Sequence, residues 1–560
     1  RCFMTCFMPN WITKTKNIRD EVYGNINTSC TDLSMGMTND YSIAIEEGAT
    51  HVRIGTLYGD DGVILDTDQY LTIDDAYIYF QQAYLFSKGN FLQFSNYDLH
   101  ANACTSFIYY IIYTIFWLVT GLIDIDLKNQ IQLVTVFNLI LNLLLFYFYL
   151  ISLQKIFFSQ FNKNYLSFSV LVSVVPVYYV FFIGLETGLT TLLVLLQFLF
   201  IYKGKNNYFL ITSIIASLNR PENLVLNFVL ILVFLIINPK IKKFKILLLL
   251  LLFISLFTIP SMNYWAYSEI KTNSAARVGW GLGNILRLPG NIYDFIGSIY
   301  QNPDFIPKKF NIFFDSLKLM LNFLLYYGVF KIMLNSYNKI SFKINKDNFL
   351  FFISVIKKKY RFEFLATVFI IFYSITPLTL SFTGEWARYI VPIFPIFFML
   401  CLKLFNPNKL ILKFLLLLNL IMFPFYLISH LNSTYIIKKL HFDLASKVNL
   451  ITKNSDVVAT TAAGYLSLFT NGKIIDVYGL GTARYSALDR NNLKSVYELV
   501  NTEGFTYLLT FNYGDKTRTY MDLGHFKKAL PDSTFTIIQT ESVDYPVDES
   551  KINFSFIKVN

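Results

Sequence analysis

The sequence predicts a polytopic α-helical membrane protein with a small α/β soluble domain at its C-terminal end. Of its 560 residues, 54% are hydrophobic and 15% are charged, whereas about a quarter of the residues in soluble proteins are charged. Apolar runs such as residues 246–260 and 410–428 approach the ~20 residues that cross a hydrocarbon core of about 30 Å. By this rule we expect roughly eleven spans between residues 107 and 428.

Composition divides the chain into four blocks. Residues 1–60 are polar, and residues 61–104 form a mixed loop that we expect on the outer face of the membrane. Residues 105–435 form the apolar block, which is interrupted by a polar insert at about 264–312. Residues 440–560 return to soluble composition, so the predicted membrane domain is followed by a separate soluble domain.

The last block alternates strand-like and helix-like segments. The runs "DVVATT", "KIIDVYGL" and "FTYLLTF" are typical of strands, and "NNLKSVYELVNTEG" is typical of a helix. This alternation predicts the small α/β domain.

The net charge of +11 indicates membrane topology rather than nucleic-acid binding. Lysine clusters lie between the apolar runs, at residues 240–245, 357–361 and 438–439, where cytoplasmic loops of membrane proteins concentrate positive charge. The five cysteines and five histidines show no metal-ligand spacing. We therefore predict a multi-pass protein of the bacterial inner membrane, without a nucleic-acid partner and without a metal site built from cysteine and histidine.

Two adjacent carboxylates, Asp74 and Asp75, stand at the head of an aromatic helical run that Gly89 closes. Thr72 or Asp74 can cap this helix, and acidic residues stabilise a helix N-terminus. Capping explains one carboxylate well and the second only in part. Catalysis by the pair is the alternative interpretation.

Charged residues within the apolar block are functional candidates because an ionisable group there costs several kcal/mol unless it is paired or hydrated. Glu186 has no Lys or Arg within a helical turn, so it needs a partner from another helix, a cavity or a raised pKa. Arg220 and Glu222 flank Pro221, which is consistent with either a solvated helix end or a functional site. Arg388 is either an interfacial anchor or a functional residue.

These segments together resemble the GT-C superfamily of integral-membrane glycosyltransferases, in the branch that includes mycobacterial arabinofuranosyltransferases. The similar elements are, in order, Asp74-Asp75-Ala-Tyr-Ile-Tyr-Phe, Gly184-Leu185-Glu186-Thr187, Leu218-Asn219-Arg220-Pro221-Glu222, Asn273-Ser274 with Arg277, Arg388-Tyr389 with Pro392, and Asp476 with Gly479 and Leu480. One element departs from the family pattern: residues 99–109 keep Thr105-Ser106 but lack the Glu-Gly that precedes it in the family. The acceptor side is therefore expected to differ.

The resemblance implies that a sugar moves from a polyprenyl-phosphate carrier to a glycan, lipid or protein acceptor on the outer face of the membrane. Asp74 or Asp75 would be the general base. An arginine would stabilise the departing phosphate. The residues implied in substrate binding are Glu186, Arg220, Glu222, Asn273, Arg277 and Arg388.

Other aspects of this function are left open by the resemblance. It assigns no organic cofactor, and it leaves the use of a divalent metal undecided. It implies contact with membrane lipid and an extracytoplasmic C-terminal domain. A transporter or flippase of lipid-linked sugars is the alternative, because intramembrane charges and broken helices suit that class as well.

Residues 1–57 resemble a different family. The run "LSMGMTNDYSIAIEEGATHVRIGT" (33–56) is similar to the C-terminal end of pyridoxal-phosphate homeostasis proteins. The resemblance implies a phosphate-binding role for Thr38, Arg53, Gly55 and Thr56. The cofactor lysine and most of that barrel would lie upstream, so we expect a vestigial segment that does not bind pyridoxal phosphate.

A fused remnant, from a frameshift, a deletion or an assembly error, would account for both resemblances in one chain. In the GT-C family a transmembrane helix precedes the aspartate pair, and residues 1–70 contain no run able to span. We therefore expect that this first helix is missing.

Overall fold

A computed structural model describes a series of segments between residue 75 and residue 559. The described ranges are 75–94, 103–123, 127–161, 164–173, 175–220, 223–237, 243–267, 361–378, 391–405, 407–437, 443–460, 463–470, 473–476, 504–513, 535–544 and 551–559. The predicted N-terminal fragment 1–60, nearly all of the polar insert and the predicted helix "NNLKSVYELVNTEG" lie outside these ranges, apart from the last residue of that helix.

Helices make up most of the described part. They are α1 (Asp75–Ser87), α2 (Phe107–Thr120), α3 (Leu127–Phe161), α4 (Tyr165–Val172), α5 (Val175–Phe182), α6 (Thr187–Tyr202), α7 (Asn206–Asn219), α8 (Asn223–Ile237), α9 (Lys243–Tyr267), α10 (Arg361–Leu378), α11 (Phe394–Phe405), α12 (Lys409–Ile437), α13 (Asp443–Ile451) and α14 (Ala463–Phe469). A turn of 3-10 helix, Val391–Ile393, leads into α11.

The prediction of a polytopic membrane protein with roughly eleven spans of ~20 residues is wrong. Among the described residues one helix, Asn129–Phe161 within α3, is long and apolar enough to cross a membrane. Shorter apolar stretches of 10–17 residues lie within other helices, at Phe107–Thr120, Thr187–Tyr202, Val225–Phe234, Leu249–Trp265 and Val391–Lys403. The fold is instead an assembly of mostly short helices together with a mixed sheet.

The physical reason for this difference is that helices end inside the apolar runs. The nearly continuous apolar stretch from residue 165 to residue 202 forms three helices, of 8, 8 and 16 residues. Gly184, between α5 and α6, has a φ of 84°, a conformation that favours glycine and turns the chain. Hydropathy averaged over a window cannot detect such breaks, because it depends on composition and not on backbone direction.

The C-terminal part contains the sheet. Its strands are β1 (Val457–Thr460), β2 (Lys473–Asp476), β3 (Tyr507–Tyr513), β4 (Phe535–Asp544) and β5 (Lys551–Val559). Their order is β2-β1-β3-β5-β4, with the first three parallel and the last two joined by antiparallel pairing. The three strands predicted from sequence are confirmed, and β4 and β5 were not predicted.

Two buried apolar clusters hold the described part together. One joins α3 through α12, and its aromatic members include Phe157, Phe198, Phe209, Phe369 and Phe394. The other joins α1, α2 and α14 to one face of the sheet. The second cluster matters for function because it holds the helix that begins at Asp75.

Candidate functional site

A buried ion pair forms the centre of the candidate site. Glu186 immediately precedes α6 and Arg220 immediately follows α7. Arg220 Nη1 lies 3.2 Å from Glu186 Oε1, and both side chains are 4% exposed. Arg220 is therefore the partner from another helix that Glu186 requires, and it is not a solvated group at a helix end.

A chain of hydroxyl groups joins this ion pair to α1. Thr105 Oγ1 donates a hydrogen bond to Glu186 Oε1 at 2.8 Å. Tyr79 Oη lies 2.7 Å from Thr105 Oγ1. Since the threonine proton points to the carboxylate, the tyrosine hydroxyl is the donor in the second bond.

Tyr79 Oη also accepts two hydrogen bonds, from the backbone N–H groups of Thr105 and Ser106, at 3.2 and 3.0 Å. These N–H groups lie just before α2, and N–H groups at the start of a helix have no acceptor within the helix. One phenol thus satisfies the start of α2 and connects it through Thr105 to the ion pair.

A second set of hydrogen bonds links α2, α6 and α7. Ser106 Oγ accepts from Tyr109 N at 3.1 Å and donates to Asn219 Oδ1 at 2.7 Å. Asn219 Nδ2 donates to Thr190 Oγ1 at 2.8 Å, and this hydroxyl donates to the carbonyl oxygen of Glu186 at 3.1 Å. All of these side chains are buried, and buried polar networks of this kind fix a defined arrangement of their helices.

Glu186 keeps one carboxylate oxygen without a donor. Oε2 is buried and accepts no hydrogen bond from the residues that the structure describes. A buried oxygen of this kind costs about 1–3 kcal/mol or more. It is therefore an acceptor for a hydroxyl group or a water molecule.

Burial raises the pKa of the Tyr79 phenol well above its ordinary value, and the Glu186 carboxylate raises it further. The same two causes raise the pKa of the Cys104 thiol. Tyr79 is therefore protonated at neutral pH, and it keeps the proton that it donates to Thr105.

Two glycines shape the turn that presents Glu186. Gly184 adopts a φ of 84°, and its carbonyl accepts a hydrogen bond from Asn138 Nδ2 at 3.0 Å. A Cβ at Gly188 would lie 2.8 Å from a ring carbon of Phe181. The first glycine allows the turn, and the second allows α6 to begin in close contact with α5.

The C-terminal sheet and its helix lie against α1. The rings of Tyr77 and Tyr465, from α1 and α14, meet edge to face with 4.8 Å between centroids. Val458 of β1 and Ile474 of β2 belong to the same buried cluster as Tyr77. The sheet therefore packs, through α14, close to the helix that starts at Asp75.

The structure brings together some of the predicted site residues. Glu186 and Arg220 form the ion pair, and Asp75 is the first residue of α1, which ends at Ser87 shortly before Gly89 as predicted. Asp476 is buried at the end of β2. The predicted site residues that lie outside the described ranges are Thr38, Arg53, Gly55, Thr56, Asp74, Glu222, Asn273, Arg277 and Arg388.

Sequence reasoning missed Tyr79, Thr105, Ser106 and Asn219 as members of this site. Each lies in or beside a segment that resembles a GT-C motif, and Tyr79 follows Asp75 by one helical turn. The available signal was the recurrence of polar side chains in otherwise apolar or aromatic runs. Within the described ranges, no three His, Cys, Asp or Glu side chains are grouped so that they could hold a metal ion.

Comparison with known proteins yields a short match. No family model matches the chain. A 47-residue stretch at the N-terminal end is 51% identical to the pyridoxal phosphate homeostasis protein of Aquifex aeolicus, and it covers 8% of this chain and 21% of that relative. The chain thus spans about a fifth of the length of this curated relative. The predicted N-terminal resemblance is confirmed to that extent.

Proposed function

We propose that this chain is a glycosyltransferase that moves a sugar from a polyprenyl-phosphate carrier to an extracytoplasmic glycan, lipid or protein acceptor. Asp74 and Asp75 supply the general base that removes a proton from the acceptor hydroxyl. The products are the glycosylated acceptor and the carrier phosphate.

The observation that carries the proposal is the convergence of elements that resemble GT-C motifs. Tyr79 belongs to the aspartate-headed segment, and it connects through Thr105 to Glu186 and Arg220. These residues come from four segments spread over about 140 residues of chain. Packing alone does not require a buried ion pair, because apolar residues of similar volume are often as stable there. This buried pair is therefore a candidate for function.

The charged residues that the resemblance implies in substrate binding suit the proposed reaction. Arg277 and Arg388 are proposed to contact the phosphate of the donor, where a guanidinium stabilises developing negative charge. Glu222 and Asn273 are proposed to bind substrate hydroxyl groups. Arg220 is already paired with Glu186 and buried, so this ion pair contacts substrate only if the chain around it opens.

A lipid-linked donor requires contact with a membrane, and α3 favours such contact. Its 33-residue apolar stretch is 28% buried over its most apolar window, whereas the core helix of a soluble protein is mostly buried. Side chains in the middle of α3, including Ile140, Leu144 and Phe148, are more than half exposed. We propose that lipid covers this surface in the bacterial inner membrane.

The contact between α14 and α1 bears on the side of the membrane at which the sheet lies. Tyr465 packs on Tyr77, two residues after Asp75. If the aspartates act on the outer face, then the C-terminal sheet lies on the outer face too. We propose this placement for residues 440–560.

The N-terminal segment is proposed to be vestigial. Its match covers 21% of the pyridoxal phosphate homeostasis protein, and the cofactor lysine of that family is expected upstream of the matched part. Thr38, Arg53, Gly55 and Thr56 are proposed as a vestigial phosphate-binding set within the matched part.

The test is sugar transfer by the purified full chain in proteoliposomes supplied with polyprenyl-phosphate sugars and oligosaccharide acceptors. The double replacement Asp74→Asn with Asp75→Asn is expected to lower kcat by roughly 100- to 10,000-fold, the range that general-base catalysis supplies. The control is Asp456→Asn, which changes a carboxylate just before β1 and is expected to leave kcat unchanged. Equal rates for the double variant and the unmodified chain would refute the assigned base. Movement of the lipid-linked sugar across the bilayer without glycosylated product would favour the transporter instead.

A further inference from the structure

We infer that Tyr79 and Thr105 are positioning residues that link the start of α1, which begins at Asp75, to the buried ion pair. The inference rests on the proposed function for the role of the aspartates, and it rests on described contacts for everything else. Neither side chain is assigned a role by sequence resemblance.

Helical spacing places the start of α1 on the side where these contacts are made. Tyr79 and Gln82 are separated by three residues, so they share one face of the helix. Gln82 is fully buried and its Oε1 accepts a hydrogen bond from Cys104 N at 3.0 Å. Tyr79 bonds to the next two residues along the same segment. The face of α1 that carries Tyr79 and Gln82 is therefore hydrogen-bonded to residues 104–106, and Tyr79 lies one helical turn after Asp75.

The hydrogen bonds of Tyr79 connect α1 to helices α6 and α7. Thr105 donates to Glu186, which is paired with Arg220. Both members of the ion pair stand at helix ends, before α6 and after α7, and helix ends in a packed assembly move little relative to one another. The hydroxyl chain therefore transmits the position of α6 and α7 to the first turn of α1.

Removing the Tyr79 hydroxyl would break this connection at one atom. Two backbone N–H groups would lose their acceptor, and Thr105 would lose its donor. The start of α1 would then lose its hydrogen-bonded link to residues 105 and 106, and apolar packing fixes direction less sharply than hydrogen bonds do. A displacement of about 1 Å at a reacting group can lower a rate by about 100-fold.

The experiment compares Tyr79→Phe with a matched variant in the same helical interface. Tyr110 is also buried, and its hydroxyl also accepts a backbone N–H bond, from Leu92 at 3.1 Å, beyond the C-terminal end of α1. We expect Tyr79→Phe to lower kcat by roughly 10- to 100-fold with KM within about twofold, and Tyr110→Phe to leave kcat within about twofold. Thr105→Val should behave like Tyr79→Phe, and Thr105→Ser, which keeps the hydroxyl, should restore activity.

Hydrogen–deuterium exchange of the full chain gives a readout that does not depend on transfer. Tyr79→Phe should speed amide exchange in residues 75–80 and 105–107, and Tyr110→Phe should speed it near residue 92 instead. Equal losses of kcat in both tyrosine variants, or a Thr105→Ser variant as impaired as Thr105→Val, would overturn the inference. Unchanged exchange at the start of α1 in Tyr79→Phe would also overturn it. If the unmodified chain transfers no sugar, the proposed function fails, and the exchange pattern still decides whether Tyr79 fixes α1.

Discussion

Glu186 and Arg220 behave as a unit because neither charge is tolerable in a buried position without the other. Taking two charges out of water costs several kcal/mol per ion, and their attraction offsets this cost only when the geometry is good and the remaining bonds are satisfied. Thr105 and Thr187 provide further partners, at 2.8 Å from Glu186 and 3.4 Å from Arg220. Loss of either charge alone therefore leaves the other buried and uncompensated.

Single replacements of the pair are expected to destabilise the chain more than the double replacement does. Glu186→Gln and Arg220→Gln should each lower the free energy of unfolding by about 3–5 kcal/mol, measured by chemical denaturation. The double variant should lose less than the sum of the two. The comparison is Glu363→Gln, which removes the charge of one partner in the partly exposed ion pair with Lys403 and should cost about 1 kcal/mol or less. Strict additivity of the two replacements would show that the pair does not act as a unit.

At the scale of residues, the sequence indicates that Glu186 needs a compensating charge, but it does not indicate that Arg220 provides it. An isolated glutamate in an apolar run requires compensation, and that requirement can be inferred from local sequence. Arg220 lies 34 positions away, and nothing local connects the two residues. The hydroxyls of Tyr79 and Thr105 could not be predicted as a chain, because their order depends on how α1 packs on α2.

At the scale of elements, the turn between α5 and α6 determines where the Glu186 carboxylate lies. Gly184 turns the chain and Gly188 removes a side chain where Phe181 would be in the way. Because α6 begins at Thr187, any shift of its first turn moves Glu186. Packing of this turn is therefore coupled to the position of the carboxylate.

A methyl group at Gly188 is expected to be costly. The 2.8 Å approach to the Phe181 ring is too short for two carbons, so Gly188→Ala should lower the free energy of unfolding by about 1–3 kcal/mol, as measured by chemical denaturation. Adding Phe181→Leu should recover part of the loss, because the smaller side chain relieves the contact. If Phe181→Leu lowers the free energy of unfolding by the same amount with glycine and with alanine at position 188, then the clash between the alanine at this position and the Phe181 ring is not the cause of the destabilisation.

Elements were predictable where a local signal was strong. Helix α1 and strands β1 to β3 could be identified from an acidic N-terminus, a closing glycine and short β-branched or aromatic runs. Strand β5 carries alternating apolar residues in "KINFSFIKV", a signal that was present and not used. Strand β4 pairs with β5 through an irregular register at Ile537 and Gln539, and such a shift disturbs the period of two on which strand prediction depends.

At the scale of the whole molecule, high apolar content had two interpretations. Each apolar run was predicted to cross the membrane. The runs fold mostly as helices shorter than about 20 residues, and many of their side chains pack in one buried cluster. Apolar content measures how much surface leaves water, and it does not say whether protein or lipid replaces the water. Exposure in the folded chain helps to separate these two cases: α3, α9 and α12 all expose large apolar side chains, and among the described helices α3 is the one long and apolar enough to cross a membrane.

The proposed lipid contact of α3 predicts that charge in its middle weakens membrane association. Leu143 and Leu144 are 48% and 52% exposed, and lysine near the centre of a spanning helix costs about 2.5–3.5 kcal/mol on the insertion scale. The Leu143→Lys and Leu144→Lys double variant should therefore float with vesicles less than the unmodified chain does in a density gradient. The control adds the same charge at two exposed positions of β4, by Thr536→Lys and Thr540→Lys, and should float normally. Equal flotation of both variants would mean that lipid does not cover α3, because lysine at its exposed leucine positions would not have weakened membrane association.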